Sequence, residues 1–295
     1  MMYMDKIEIY YFSGTGNSLH VAQEIQKRIP NTTLMPILSL LNEEAIELKG
    51  DIIGLVFPIY LSSTPVPVRE FIRKIHFKPE QFLFTVTTNC GYPGKVELYL
   101  ERLLAKRGKE LDFYYTLKMA SNSPKGLQPS FMIAQNWAST ITEKNILVLE
   151  ENVQKKLNII VKAIINKKKN TDQDSPKPTN ALTRFINKFL QLPLQWYIER
   201  INAKIGFYFD STCTGCGLCE SVCPSKKIKL NNGKPLWQDD VRCYYCYACF
   251  NFCPEQSILV KNYTRKDGRY YYPGITARDI AVQKNPRKEF NRVKP

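Results

Sequence analysis

Eight of the nine cysteines fall in two short runs, "CTGCGLCESVCP" (213–224) and "CYYCYACFNFCP" (243–254), while Cys90 stands alone. Each run is C-x2-C-x2-C-x3-C-P, a spacing used for bacterial iron-sulfur ligation. Three closely spaced thiolates on a tight loop take three corners of a cubane; the fourth cysteine lies too far along the chain and serves the other site. The spacing therefore assigns Cys213, Cys216, Cys219 and Cys253 to one 4Fe-4S cluster, and Cys243, Cys246, Cys249 and Cys223 to a second. Gly215 and Gly217 suit close approach of backbone amides to cluster sulfurs, and Pro224 and Pro254 turn the chain away. Structural zinc prefers two CxxC pairs and has no use for the triple spacing or the repeated proline. Tyr244, Tyr245, Tyr247, Phe250 and Phe252 crowd the second run, where they shield a cluster from water or simply pack. No cysteine occurs before residue 90, so the pattern favours metal in a reducing compartment over a disulfide scaffold.

A second constellation is "YYFSGTGNSLHVA" (10–22), two glycines and several hydroxyl or amide side chains between an apolar run and a helical pattern. The dinucleotide fingerprint needs a third glycine and an acidic residue about 20 positions on. Here Leu19 takes the third place and "TTLMPIL" ends without Asp or Glu, which disfavours NAD. A terminal phosphate can instead be held without a cation, by turn amides, hydroxyls and a helix N-terminus. This turn contains no Lys or Arg and supplies all three.

The elements that must position these groups alternate. "IEIYYF" (7–12), "TTLMPI" (32–37), "DIIGLVF" (51–57), "QFLFTVTT" (81–88) and "ELDFYYTLKM" (110–119) are strand-like; "SLHVAQEIQKRI", "PVREFIRKI", "KVELYLERLLAKRG" and a closing segment at 145–166 are helix-like. Such alternation builds a parallel sheet covered on both faces. The polar, proline-bearing stretch 166–180 reads as a linker, and 181–205 as a connecting helix pair split near Pro193.

Two resemblances follow from these residues. The cysteine runs resemble bacterial two-cluster ferredoxins over about 207–260, which implies one-electron transfer. "SGTGNS" matches the flavodoxin pattern Ser/Thr-x-Thr-Gly-x-Ser/Thr at Ser13, Thr15, Gly16 and Ser18. The flavodoxin-like resemblance covers about 5–166 and implies FMN over the carboxyl ends of a five-stranded doubly wound parallel sheet of order 2-1-3-4-5. By that resemblance Ser13, Gly14, Thr15, Gly16, Asn17 and Ser18 hold the phosphate. The loop beginning at Pro58 with Tyr60, and the loop Thr88, Asn89, Gly91, Tyr92 and Gly94, lie beside the isoalloxazine. "MASNSPKG" (119–126) is either a fourth ligand loop or a plain connection. Cys90 reads as an ordinary turn residue; His20 and His76 receive no catalytic role. The whole chain resembles flavodoxin/ferredoxin fusion proteins of anaerobic bacteria. Its implied organisation is an FMN domain at 1–166, a linker with connecting helices at 167–206, a small α+β two-cluster domain at 207–260 and a basic tail at 261–295.

The net charge is +15. Residues 1–166 carry 19 Lys+Arg against 16 Asp+Glu, and residues 211–295 carry 15 against 7, so basicity concentrates around the cysteines, where thiolates would offset part of it. No nucleic-acid module accompanies the charge, and nucleic acid is not an expected partner. The N-terminus lacks the plan of a secretion signal and no apolar stretch is long enough for a transmembrane segment, so a soluble cytoplasmic protein with redox proteins as partners is expected. FMN takes one electron or two whereas each cluster cycles one, so the expected function is electron transfer between them. A flavin-dependent reductase of a small organic acceptor is a second class, although no acid-base pair commits the sequence to it. A sensing module that has lost FMN is a third, and the intact "SGTGNS" stands against it.

Overall fold

The structure, a computed structural model, describes residues 5–60, 63–91, 93, 96–123, 141–171, 206–261 and 269–285. The expected connecting helices at 181–205, most of the linker, Tyr92, Gly94 and the remaining tail residues lie outside the described residues. Five parallel strands, β1 (Ile7–Tyr11), β2 (Thr32–Pro36), β3 (Ile52–Pro58), β4 (Phe82–Asn89) and β5 (Phe113–Lys118), are ordered β2-β1-β3-β4-β5. A two-residue strand, β6 (Asn170–Thr171), adds to the β5 edge. Helices α1 (Asn17–Arg28), α2 (Val66–Lys74), α3 (Val96–Ala105) and α4 (Glu143–Ile165) fall where the periodicity places them. This is the flavodoxin-like doubly wound sheet.

Central strands covered on both faces must be apolar throughout, and every residue of β3 is buried. Phe12, Phe57, Phe71, Phe84 and Tyr114 are fully buried in the core, each contributing about 1.5–3 kcal/mol of burial. Because the strands are parallel, the loops after β1, β3, β4 and β5 emerge at one edge, where an open α/β sheet takes its ligand.

The cysteine-rich part is small and α+β. Its β7 (Phe207–Phe209) pairs antiparallel with β10 (Ile258–Val260), and β8 (Ile228–Asn231) with β9 (Lys234–Trp237), while α5 (Leu218–Val222) and α6 (Ala248–Asn251) follow the cysteine loops. Its two halves repeat in backbone as well as sequence: left-handed φ recurs at Gly215 and Tyr245, at Gly217 and Tyr247, and at Lys226 and Gln256.

Residues 269–285, whose Lys, Arg and Tyr content reads by default as a solvated tail and otherwise as one that docks across the two parts or attracts an acidic partner, pack against the chain. Tyr270, Ile275, Ile280 and Gln283 are buried, and the short helix α7 (Ala277–Ala281) begins with a Thr276–Asp279 capping box. Composition misleads here because the partners are remote in sequence. Gln283, with no exposed surface, accepts from Ser13 N and donates to Ser13 O, each at 3.0 Å.

Candidate functional site

The cysteine loops fold so that each run contributes three cysteines to one cavity and its last cysteine to the other. Cys213, Cys216 and Cys219 line a cavity with Cys253; Cys243, Cys246 and Cys249 line another with Cys223. Among the described residues no three or more His, Cys, Asp or Glu side chains converge as ligands of a single metal ion. The thiols surround a void, the arrangement a polynuclear core requires. Burial pushes the Cys219 thiol up to about 12 and the Cys243 thiol up to about 11, with neighbouring cysteines adding to the effect. Burial raises Cys246 and Cys249 further, and Cys249 also feels Cys219 of the other set. Thiols so held stay protonated at neutral pH unless a cationic core displaces the protons. Lys284 fastens this unit by donating to Ser221 O at 2.6 Å and Cys223 O at 3.1 Å.

The third cavity, about 180 Å³, lies at the carboxyl edge of the parallel sheet. By the measure in which one water needs about 10–15 Å³, it holds on the order of a dozen waters, far more than an ion requires. Ser13, Gly14, Thr15, Asn17 and Ser18 line it, together with Pro58, Tyr60, Thr88 and Asn89. The first amides of α1 have no intrahelical acceptor and sit at the positive end of its dipole. Tyr60 stands edge-on to Phe12, and its buried hydroxyl meets no hydrogen-bond partner. That hydroxyl lies against Gly14, while Tyr60 forms part of the cavity wall. Burial holds this phenol well above its ordinary range. Uncharged amides and hydroxyls at a helix start, with an aromatic beside them, are a donor set that fits FMN.

Among the described residues, two expected ones do not line the cavity. Gly16, at φ 105°, faces the opposite way, where Tyr272 Cβ and Ile275 Cβ would meet an added Cβ at 2.8 and 2.9 Å. Gly91 is exposed, turned outward as its amide donates to Asn89 Oδ1 at 2.8 Å. Ser121, Asn122 and Ser123, left open as ligand loop or connection, do line it. Cys90 also reaches the cavity wall while remaining exposed.

Sequence reasoning missed that the second cysteine loop closes this cavity. Tyr245 and Tyr247 form part of its wall, and Tyr247 also lines the cavity of the second cysteine set. A Cβ on Gly14 would lie 2.8 Å from Cys246 Cβ and 2.9 Å from Cys246 O, so this glycine allows the two loops to touch. Asn122 Nδ2 donates both to Thr15 Oγ1, at 2.9 Å, and to Cys246 O, at 3.1 Å. Asn251 Nδ2 donates to Asn122 O at 2.9 Å.

The packed C-terminal segment clasps the same turn from outside. Tyr272 N donates to Thr15 O at 2.7 Å, and the Tyr270 hydroxyl to Asn17 Oδ1 at 3.0 Å. The Tyr272 hydroxyl donates to Glu150 Oε2 at 2.9 Å while its ring stacks on His20 at 4.0 Å, giving His20 a fastening role. Burial raises the Glu150 carboxyl, but hydrogen bonds from His20, Gln154 and Tyr272 outweigh it and hold the group at about 2. The unfolded chain keeps this proton up to about pH 4.5, so it binds more protons between about 4.5 and 2. The stability this carboxylate contributes is complete above that window and drains as pH falls through it. Glu150→Gln is expected to lower stability at pH 7 by about 1 kcal/mol, read as a shifted denaturant midpoint.

Residues 212–258 match the family described as 4Fe-4S dicluster domain. No curated protein sequence matches the chain. Among solved structures, the FMN-dependent NADH-azoreductase of Bacillus anthracis in complex with FMN is 10% identical, with 55% of this chain and 100% of that one covered and a TM-score of 0.34. A provisionally described flavoprotein from Bacteroides uniformis is 17% identical over 40% of this chain and 94% of its own, with a TM-score of 0.31. Rubredoxin oxygen:oxidoreductase from Desulfovibrio gigas is 14% identical over 55% and 36%, again at 0.31. Likenesses this distant add nothing to the strand order. Among the described residues no helix is long and apolar enough to cross a membrane. The chain thus joins a flavodoxin-like doubly wound α/β sheet to a segment that matches a 4Fe-4S dicluster domain.

Proposed function

We propose that this chain is an electron-transfer protein in which two 4Fe-4S clusters exchange single electrons with bound FMN. One observation supports it above the rest: the loop bearing Cys246 forms a wall of the cavity that the "SGTGNS" turn lines, and the two loops touch at Gly14. When bound, the clusters supply one-electron chemistry and the flavin stores one electron or a pair. Cys213, Cys216, Cys219 and Cys253 would hold one cluster, Cys243, Cys246, Cys249 and Cys223 the other, and the turn Ser13–Ser18 with Tyr60, Thr88 and Asn89 the flavin.

The protein's contribution is position and exclusion of water. Asn122 ties Thr15 to the Cys246 carbonyl, and the clasp ties Ser13 and Thr15 to the segment whose Lys284 holds the Cys223 carbonyl. Both carrier sites are thereby fixed to one framework, as rapid transfer over a short gap requires. Redox proteins would be the partners.

Rapid mixing of oxidised, cofactor-loaded protein with a one-electron donor tests this reading. Bleaching near about 450 nm should follow iron-sulfur bleaching at a rate independent of protein concentration. A rate that grows linearly with concentration would place the exchange between molecules and contradict it.

A further inference from the structure

The two cysteine loops share one backbone path but not one set of residues. In the first loop the positions on either side of Cys216 are Gly215, at φ 74°, and Gly217, at φ 79°. In the second loop the same positions flank Cys246 and keep left-handed φ, 56° and 54°, yet carry Tyr245 and Tyr247. A bulky side chain in this region crowds its own backbone, which is why glycine is the usual occupant. Such strain persists only where the surroundings impose it, and it concentrates at ligand sites.

Cluster ligation does not require the tyrosines, since the first loop makes the same turn with glycine. Nor does core packing account for both. Tyr247 packs with Phe250, Ile258 and Val260 in the core of the cysteine unit, its ring centroid 6.1 Å from that of Phe207, and it also lines the cavity at the sheet edge. Tyr245 lines that cavity and not the one beside its own cysteines. Both residues that cost the loop its glycines thus line the cavity at the sheet edge. Flat phenol rings suit the face or edge of a tricyclic aromatic ligand.

We infer that Tyr245 and Tyr247 are flavin-contact residues, so that the dicluster part completes the binding site for the isoalloxazine ring. The inference rests on the reading that this cavity takes FMN. It assigns the ring contact to the cysteine loop, in addition to the expected Tyr60 loop, and links flavin affinity to the presence of a folded cluster loop.

The test is FMN affinity of anaerobically prepared, cluster-loaded protein, read by quenching of flavin fluorescence, with iron and sulfide counted in the same samples. Tyr245→Gly/Tyr247→Gly should weaken FMN binding about tenfold or more while iron and sulfide stay at the wild-type level, since glycine suits both φ values. The bulky but non-aromatic pair Tyr245→Leu/Tyr247→Leu should weaken it similarly, and Tyr245→Phe/Tyr247→Phe should stay within about threefold of wild type. Affinity of the glycine pair within about twofold of wild type overturns the inference. Should that pair fail to retain iron, the leucine and phenylalanine pairs decide: a large gap between them supports the contact, and equal affinities overturn it. Wild-type protein that holds its clusters but ignores FMN would instead refute the flavin reading itself.

Discussion

Cys253→Ser is expected to empty the cavity of the first cysteine run although Cys253 belongs to the second. Cys253 lines the void with Cys213, Cys216 and Cys219, across the chain from its own run. Iron should fall from roughly 8 to roughly 4 per chain, as two cubanes become one. Double substitution sharpens the result. Cys253→Ser with Cys216→Ser should lose little more iron than either alone, because both strike one site, whereas Cys253→Ser with Cys246→Ser should lose nearly all of it. Non-additivity between residues sharing a site is the general expectation. If the pair within the second run proves non-additive instead, the cysteines do not cross over and the grouping is wrong.

Gly14→Ala carries the second large effect. The added methyl would press on Cys246 Cβ and on its carbonyl oxygen, both inside contact distance, and on the Tyr60 hydroxyl. Two of these atoms belong to a buried cluster loop and cannot swing aside, so the "SGTGNS" turn and the cysteine loop must separate. FMN affinity should drop by at least about tenfold while iron content holds, since all eight cysteines of the two runs remain in place. A variant that binds FMN as wild type does would show that the two loops do not share one site. Overpacking of this kind typically costs about 1–3 kcal/mol, and a thermal melt should register it.

Much of this arrangement is written locally and was legible. Strands such as "DIIGLVF" and "QFLFTVTT" announce a buried parallel sheet because each is a run of apolar, aromatic and β-branched residues, whatever lies around it. The cysteine grouping follows from reach: three thiols per loop and a fourth held away by the intervening residues. What escaped the sequence depends on contacts between distant parts. Gln283 reads as one polar residue in a basic stretch, yet it is fully buried against Ser13, 270 positions away. Tyr245 and Tyr247 read as cluster shielding or ordinary packing, because nothing in the letters alone shows that they stand in left-handed backbone beside the "SGTGNS" turn. Gly16 belongs to the recognised pattern, yet it faces Tyr272 and Ile275, so the motif's glycine also seats the C-terminal clasp.

The most direct test of the account is a count of iron, acid-labile sulfide, zinc and FMN per chain in protein purified without oxygen. The account predicts roughly 8 iron, roughly 8 sulfide and 1 FMN, with zinc near zero. Zinc in place of iron, or an iron-loaded chain whose sheet-edge cavity takes up no added FMN, would contradict it.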